Sequence, residues 1–229
     1  MQTGENDWRS FFRGAQIVLD ATERADKLLR LRLGTGFSVF DWIKPGENTL
    51  SDMVRDLLDP EGIHGQRSIF LRLALDYLIP TPDPVAADQM ERCVVVREAL
   101  TSNGRLIDLV VNFDTCAIGI ENKPFAAEQK AQLADYADHL HHQFGGRFCL
   151  VFLHGPGMRA TSLGTARKER LQAEGRFLEV PYHAGGGPSL HGWLVRCAAA
   201  AQSEKIRSFL TDFADYVADE FAVLNGEIE

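Results

Sequence analysis

The sequence predicts an α/β fold in which helices precede and follow a small mixed β-sheet. Two observations lead to this prediction. Three short β-rich runs follow one another between residues 93 and 123, and a continuous apolar run occupies residues 148–153. On both sides of these runs, apolar residues recur at the three- and four-residue spacing of amphipathic helices. The chain has 229 residues, so we expect one domain with an N-terminal helical extension (1–36) and an acidic C-terminal helix and tail (203–229).

The first elements are helical. A helical rhythm of apolar residues runs from residue 8 to residue 33 and ends at Gly34-Thr35-Gly36, which predicts one or two helices packed on the main domain. The next helix has the pattern of a capping box at residues 49–52 and a stop at Asp59-Pro60. This assignment places Glu47 just ahead of the first turn of that helix.

The middle of the chain changes from helical to β-rich patterns. Turn-like segments separate the three β-rich runs, so we expect an antiparallel meander. The apolar run at 148–153 is short and uninterrupted, as in a strand that is covered on both faces. The further predicted elements are a helix at 68–78, an extended proline-rich connector at 79–84, strands at 93–100, 105–113 and 116–123, a helix at 133–144, strands at 148–153 and 177–183, and helices at 190–202 and 204–222.

Asp108, Glu121 and Lys123 are the strongest candidates for chemistry. Asp108 lies among apolar residues of the second strand, and Glu121 and Lys123, two residues apart, project from one face of the third strand. Twelve residues separate Asp108 from Glu121, enough to finish one strand, turn and return along its neighbour. Two carboxylates and an ammonium group are therefore predicted to converge near one edge of the sheet.

Carboxylates in this arrangement suit Mg²⁺ or Mn²⁺, which prefer oxygen ligands. Such a metal would polarise a phosphodiester and lower the pKa of a bound water, while Lys123 would orient that water or stabilise charge on the phosphate. The alternative interpretation of so short a pattern is an ordinary salt bridge between Lys123 and one of the acids.

The sequence around these residues resembles the PD-(D/E)XK nuclease superfamily, in particular a bacterial subgroup written roughly as R-x-D…IENK…Q-x-x-QL-x-x-Y. The resemblance implies a restriction-endonuclease-like core. The residue before Asp108 is Ile107 and not proline, a departure that many members of the superfamily share. The matching segments are 104–109, 118–123 and 127–136, with weaker likeness to the subgroup's first helix at 47–51, 57–60 and 64–65 and to its closing helices at Trp193 and 205–221.

Carried over residue by residue, the resemblance implies that Glu47, Asp108 and Glu121 are metal ligands. It implies that Lys123 is the catalytic lysine and that the backbone carbonyl of Asn122 faces the metal. No other cofactor is implied.

Two of the implied roles have alternatives. Gln132 matches the helix glutamine that the family uses near its site, but Gln129 lies on the same helix face. Asp52 or Glu61 could replace Glu47, since an acid at a helix start is often only a partner of the helix dipole.

The net charge of -8 argues at first against a nucleic-acid partner. Residues 203–229, however, hold seven acids and two bases, a net charge of -5, which leaves -3 for the rest of the chain. Three of the remaining acids are the expected ligands. We therefore expect modest, salt-sensitive affinity for nucleic acid, or help from a partner subunit or from a second copy in a homodimer.

Together with the resemblance, these patterns predict a Mg²⁺- or Mn²⁺-dependent nuclease, a hydrolase that acts on DNA in preference to RNA. The resemblance alone implies defence against foreign DNA as its role. The alternative is a catalytically inactive nuclease-fold module that binds nucleic acid or a protein. The sequence lacks an apolar run of bilayer-spanning length and the pattern of a secretory signal, so we expect a cytoplasmic protein without a membrane partner. Its four scattered cysteines are expected to be buried and reduced.

Overall fold

The computed structural model describes residues 3–34, 37–80 and 85–222. The chain divides into two compact units, Met1–Ile43 and Lys44–Glu229, so the first unit ends seven residues after the predicted extension. In the described ranges, none of the helices combines the length and apolar character that crossing a lipid bilayer requires.

In its described residues, the first unit contains one long helix and a short 3-10 turn. Helix α1 is Thr3–Leu33, a single continuous helix over the stretch for which one or two were predicted. Gly34 follows in the left-handed region at φ 62°, where glycine is unstrained. The predicted stop also includes residues 35 and 36, which lie outside the described residues. The 3-10 turn is Val39–Asp41, and the hydroxyl of Ser38 caps it.

The second unit is built on a five-stranded mixed sheet in which the spatial order of the strands equals their order in the chain. The first three strands form the predicted antiparallel meander, and the last two continue parallel to the third. The strands are β1 Val94–Leu100, β2 Leu106–Asn112, β3 Ala117–Lys123, β4 Phe148–His154 and β5 Phe177–Pro181.

Seven helices accompany this sheet in the described part of the second unit. They are α2 Glu47–Leu58, α3 Ile69–Leu73, which continues as a π-helical turn at Ala74–Leu78, α4 Ala87–Glu91, α5 Gln132–Phe144, α6 Thr165–Ala173, α7 Leu190–Ala200 and α8 Glu204–Glu220. The predicted α/β class, a small mixed sheet flanked by helices, is confirmed and agrees with a restriction-endonuclease-like core.

Helices cover both faces of the sheet. On one face α5 and α6 share a buried apolar cluster with the strands, to which α5 contributes Leu133 and Leu140 and α6 contributes Leu171. On the other face α2 contacts the first three strands, and α7 packs between α3 and α8. Strand β4 is buried along six of its seven residues, as predicted for a strand covered on both faces. All four cysteines are buried and free, also as predicted.

The predicted start of α2 was wrong. The helix begins at Glu47, and its N-cap is Gly46, which makes no side-chain cap bond. The supposed capping box at residues 49–52 therefore lies inside the helix, and Glu47 belongs to the first turn instead of preceding it. An acid in the first turn is favoured by the helix dipole, and the carboxylate of Glu47 also bonds to a lysine of β3.

Sequence reasoning missed α4 and α6. No residue of α4 is buried, and α6 buries only Leu171. Without an apolar stripe, neither helix has the periodicity on which the prediction depended. The connector predicted at 79–84 falls partly on residues 81–84, which lie outside the described residues.

Candidate active site

The pairing of β2 with β3 brings the two predicted strand carboxylates together. Leu109 lies opposite Ile120 in the antiparallel register. The ladder between the two strands ends at this pair, and Asp108 and Glu121 are the next residues beyond it on β2 and β3. The backbone N–H of Asn122 donates to Oδ2 of Asp108 over 2.8 Å. The Asp108 carboxylate is thereby fixed beside β3.

Three carboxylates surround the ammonium group of Lys123. Its Nζ lies 2.7 Å from Oε1 of Glu121, 2.8 Å from Oε1 of Glu47 and 3.9 Å from Oδ2 of Asp108. The Glu121 side chain is completely buried, whereas that of Glu47 keeps 31% of its surface exposed. The cluster is therefore deepest at Glu121 and reaches solvent at Glu47.

Glu47 enters this cluster from the first turn of α2. The two alternatives left open by the sequence lie elsewhere. Asp52 pairs with Arg97 of β1 over 2.7 Å, and Glu61 is exposed in the turn that follows α2. Of the three acids, Glu47 is the one that the structure places at Lys123.

Gln132, the first residue of α5, holds the buried carboxylate from the helix side. Its Nε2 donates to Oε1 of Glu121 over 2.7 Å and to the hydroxyl of Tyr136 over 2.9 Å. Tyr136 in turn donates to the backbone carbonyl of Leu106. Gln129, the alternative, turns its side chain to Arg105, while its backbone N–H donates to Oε1 of Gln132. Gln132 is thus the glutamine in contact with Glu121.

Asn122 lies between Glu121 and Lys123 but sends its side chain to the opposite face of β3. Nδ2 of Asn122 donates to the hydroxyl of Ser51 over 2.8 Å, and Oδ1 accepts from the hydroxyl of Tyr182 over 2.8 Å. Its backbone carbonyl accepts a 3.3 Å hydrogen bond from Nζ of Lys123. The carbonyl therefore belongs to the candidate site, and the amide side chain does not.

Sequence reasoning did not assign Ser51, Tyr136 or Tyr182 to the site. Ser51 and Tyr136 lie inside segments that carry the family resemblance, which was a usable signal. Tyr182 lies just after β5, sixty positions from Asn122. No local pattern connects residues so far apart, so only the folded chain reveals this contact.

Burial sets the charge states of the cluster. It raises the pKa of Glu121 to about 8, and the negative charge of Asp108 acts in the same direction. Burial also raises the pKa of Asp108, against the N–H of Asn122 and the charge of Lys123. Burial alone would lower the pKa of Lys123, but its carboxylate partners outweigh this effect and hold the pKa above its ordinary value. At neutral pH Lys123 is therefore a cation, and Glu121 takes up a proton at a higher pH than an ordinary glutamate does.

The oxygens of this cluster fit a divalent metal ion. Oε2 of Glu121 is buried and makes no hydrogen bond with any described residue, so the deepest carboxylate has an unused acceptor. Carboxylate and carbonyl oxygens are the ligands that Mg²⁺ and Mn²⁺ prefer. Within the described ranges, no three His, Cys, Asp or Glu side chains already stand at the spacing of a formed metal site. The ammonium group of Lys123 lies among the three carboxylates instead.

The family of the chain follows from comparison with known proteins. The family model of the PD-(D/E)XK nuclease superfamily matches residues 37–215, which is most of the 229-residue chain and includes the whole sheet with Asp108, Glu121 and Lys123. No curated protein matches the chain. Because the family model covers most of its length, the chain belongs to the PD-(D/E)XK nuclease superfamily.

Proposed function

We propose that this protein is a metal-dependent nuclease that hydrolyses DNA phosphodiester bonds by means of a metal-activated water. The observation that carries the proposal is the convergence of Glu47, Asp108 and Glu121 on Lys123 in a chain of a nuclease superfamily. A non-catalytic module that kept only the fold has no need of all four groups. Their joint presence therefore favours an enzyme over a binding module.

The ligands that we assign to Mg²⁺ or Mn²⁺ are the carboxylates of Glu47, Asp108 and Glu121 and the backbone carbonyl of Asn122. A bound ion supplies a Lewis acid for the phosphodiester and lowers the pKa of a bound water. Glu121 has to lose its proton before it can act as a ligand. Since its pKa lies at about 8, metal affinity should rise with pH up to that value.

Lys123 is the group that we assign to charge stabilisation. Its raised pKa keeps the ammonium protonated at neutral pH, and in the free protein Glu47 and Glu121 accept its hydrogen bonds. Once those carboxylates are engaged by a cation, the ammonium can donate to the attacking water or to a phosphate oxygen. Gln132 keeps Glu121 oriented meanwhile, because it remains bonded to Tyr136 as well.

DNA is the substrate that we propose, and defence against foreign DNA is the role. The net charge of -8 lies largely in residues 203–229, so the remainder of the chain is much closer to neutral. A weakly charged surface predicts modest affinity that falls as salt is raised. RNA is the alternative substrate, and the experiment below separates the two.

The test incubates the pure protein with circular and linear DNA, single- and double-stranded, and with RNA of matched sequence. Each is combined with Mg²⁺, Mn²⁺ or EDTA. We expect DNA cleavage with either metal and none in EDTA, and cleavage of closed circles would identify an endonuclease. Cleavage of RNA alone would overturn the DNA assignment. Binding without turnover would support the inactive module.

Two substitutions connect the activity to the site. Asp108→Ala and Lys123→Ala should each abolish cleavage while the circular dichroism spectrum shows an intact fold. Asp88→Ala is the matched control, because Asp88 pairs with Arg92 on the exposed surface of α4. Undiminished metal-dependent cleavage by both site variants would refute the assignment.

A further inference from the structure

Two successive residues of β3 hold the first turn of α2 from opposite faces of the strand. Lys123 bonds to the carboxylate of Glu47 over 2.8 Å, and Nδ2 of Asn122 approaches the backbone carbonyl of the same residue at 3.5 Å. Nδ2 of Asn122 also bonds to Ser51, one helical turn further along α2. Glu47 is therefore tied to the strand at both its side chain and its backbone.

We propose that Asn122 is a positioning residue whose side-chain amide fixes Glu47 in the site, with Ser51 and Tyr182 as its supports. This inference deepens the proposed function, since it assumes that Glu47 serves as a metal ligand. It is separate from the expected role of the Asn122 carbonyl, because the amide group lies on the other face of β3.

The bonding capacity of the amide is well used. Its carbonyl oxygen accepts from Tyr182, its nitrogen donates to Ser51, and all three residues are at most 1% exposed. A buried donor or acceptor that loses its partner is expensive. Displacing α2 from β3 would break the bond between Nδ2 of Asn122 and the hydroxyl of Ser51 and leave both buried groups unpaired. The observed arrangement is therefore much more favourable than one with α2 displaced.

Tyr182 gives this amide a rigid support. Its backbone N–H donates to the carbonyl of His154 at the end of β4, and its carbonyl accepts from the N–H of His191 in α7. Its ring packs on that of Phe221, with ring centroids 4.3 Å apart. Strand β4, helix α7 and the residue that follows α8 thus fix the hydroxyl that holds Asn122.

Asn122 also reaches a second proposed ligand through its backbone. Its N–H donates to Oδ2 of Asp108, so one residue touches both Asp108 and Glu47. Groups that orient metal ligands typically change metal affinity or activity by about 10- to 100-fold when they are removed. We expect an effect in this range when the amide loses its supports.

The experiment uses Tyr182→Phe and Ser51→Ala, which leave every proposed ligand and Lys123 in place. Mn²⁺ affinity of the full chain is measured by titration calorimetry, and hydrogen exchange of the α2 amides is measured in EDTA. Each variant should bind Mn²⁺ about 10-fold more weakly and exchange faster at the α2 amides from Leu50 onward, since Leu50 is the first whose N–H is hydrogen-bonded, to the carbonyl of Gly46. Tyr77→Phe is the control: it removes a 3.0 Å bond to the carbonyl of Gly187 on an exposed surface and should change neither measurement.

A merely structural role for Asn122 predicts a different result. Both variants would then lower the melting temperature while Mn²⁺ affinity and local exchange in α2 stayed at the wild-type level, and this result would overturn the inference. If the wild-type protein binds no divalent metal, the proposed function fails. The exchange measurement in EDTA still decides whether Asn122 holds α2.

Discussion

The carboxylate of Glu121 and the ammonium group of Lys123 lie 2.7 Å apart on the same face of β3, and both side chains are buried. A buried ion pair stabilises a protein only when the other hydrogen-bond donors and acceptors of the two groups also have partners. Lys123 has a second carboxylate partner in Glu47, and Oε1 of Glu121 accepts from Gln132, whereas Oε2 of Glu121 has no hydrogen-bond partner among the described residues. In the free protein the ammonium thus balances negative charges that would otherwise repel one another. A divalent metal would take over that balance and compete with Lys123.

Lys123→Met should therefore separate metal binding from catalysis. The substitution keeps the unbranched apolar stem of the side chain but removes the competing cation, so Mn²⁺ affinity should stay equal or increase. Cleavage should fall by about 100- to 1,000-fold, as expected when a donor to the transition state is lost. Titration calorimetry and a plasmid-cleavage time course measure the two effects. Equal loss of metal affinity and of activity would show that Lys123 only maintains the fold of the site.

The stability of the metal-free protein should fall as pH rises. Glu121 has a pKa of about 8 in the folded protein and an ordinary value of 4.5. The folded state therefore binds the proton of Glu121 more tightly than the unfolded state does. The resulting contribution to the free energy of unfolding is fully present below pH 4.5 and is lost as pH rises through about 8. The raised pKa of Asp108 acts in the same direction. Urea unfolding in EDTA between pH 5 and 9 measures the slope.

Glu121→Gln supplies the control for this pH dependence. Glutamine keeps the shape and a hydrogen-bonding oxygen but cannot ionise. The variant should therefore lose much of the pH dependence of the free energy of unfolding. Between pH 5 and pH 9 its stability should fall less than that of the wild type. An identical slope in the two proteins would mean that other groups cause the pH dependence. Added Mn²⁺ should stabilise the wild type more strongly than the variant, since only the former keeps all three carboxylates.

The part of the site that the sequence predicts is the part that lies on neighbouring strands. Twelve residues between Asp108 and Glu121 imply a strand, a turn and a returning strand, and alternation then places Lys123 on the face of Glu121. Those rules are local. They hold here because the meander of β1, β2 and β3 is formed by consecutive segments of the chain.

The contributions from distant elements were not predictable in this way. The resemblance favours Glu47 but leaves Asp52 and Glu61 as alternatives, and the packing of α2 against β3 decides among them: Glu47 bonds to Lys123, 76 positions away. Sequence reasoning also could not find Tyr182, because its partner Asn122 is 60 positions away. Missing the true start of α2 had a related cause, since its first turn is held by a tertiary contact and not by a local cap.

Gln132→Ala should weaken metal binding, whereas Gln129→Ala should not. The first variant removes the donor to Glu121 and leaves the hydroxyl of Tyr136 without that partner, so metal affinity or activity should drop by about 10- to 100-fold. The second keeps the backbone N–H that braces Gln132 and removes only an exposed side chain bonded to Arg105. Calorimetry with Mn²⁺ on both variants provides the comparison. The opposite ranking would assign the family's glutamine to Gln129.

Gly155→Ala should destabilise the protein through the backbone beside the catalytic lysine. The N–H of Gly155 donates to the carbonyl of Lys123 over 3.0 Å, and a Cβ at this position would lie 2.0 Å from the carbonyl oxygen of Pro124. Backbone cannot yield as a flexible side chain does, so we expect a loss of about 3 kcal/mol or more in the free energy of unfolding, together with weaker cleavage as Lys123 is displaced. Gly185→Ala is the matched control, because a Cβ there meets nothing within 4 Å. Urea unfolding of the two variants measures the difference. Equal stability of the two variants would contradict the prediction, because it would mean that the backbone after β3 and the backbone after β4 can move apart to make room for the added Cβ at little cost.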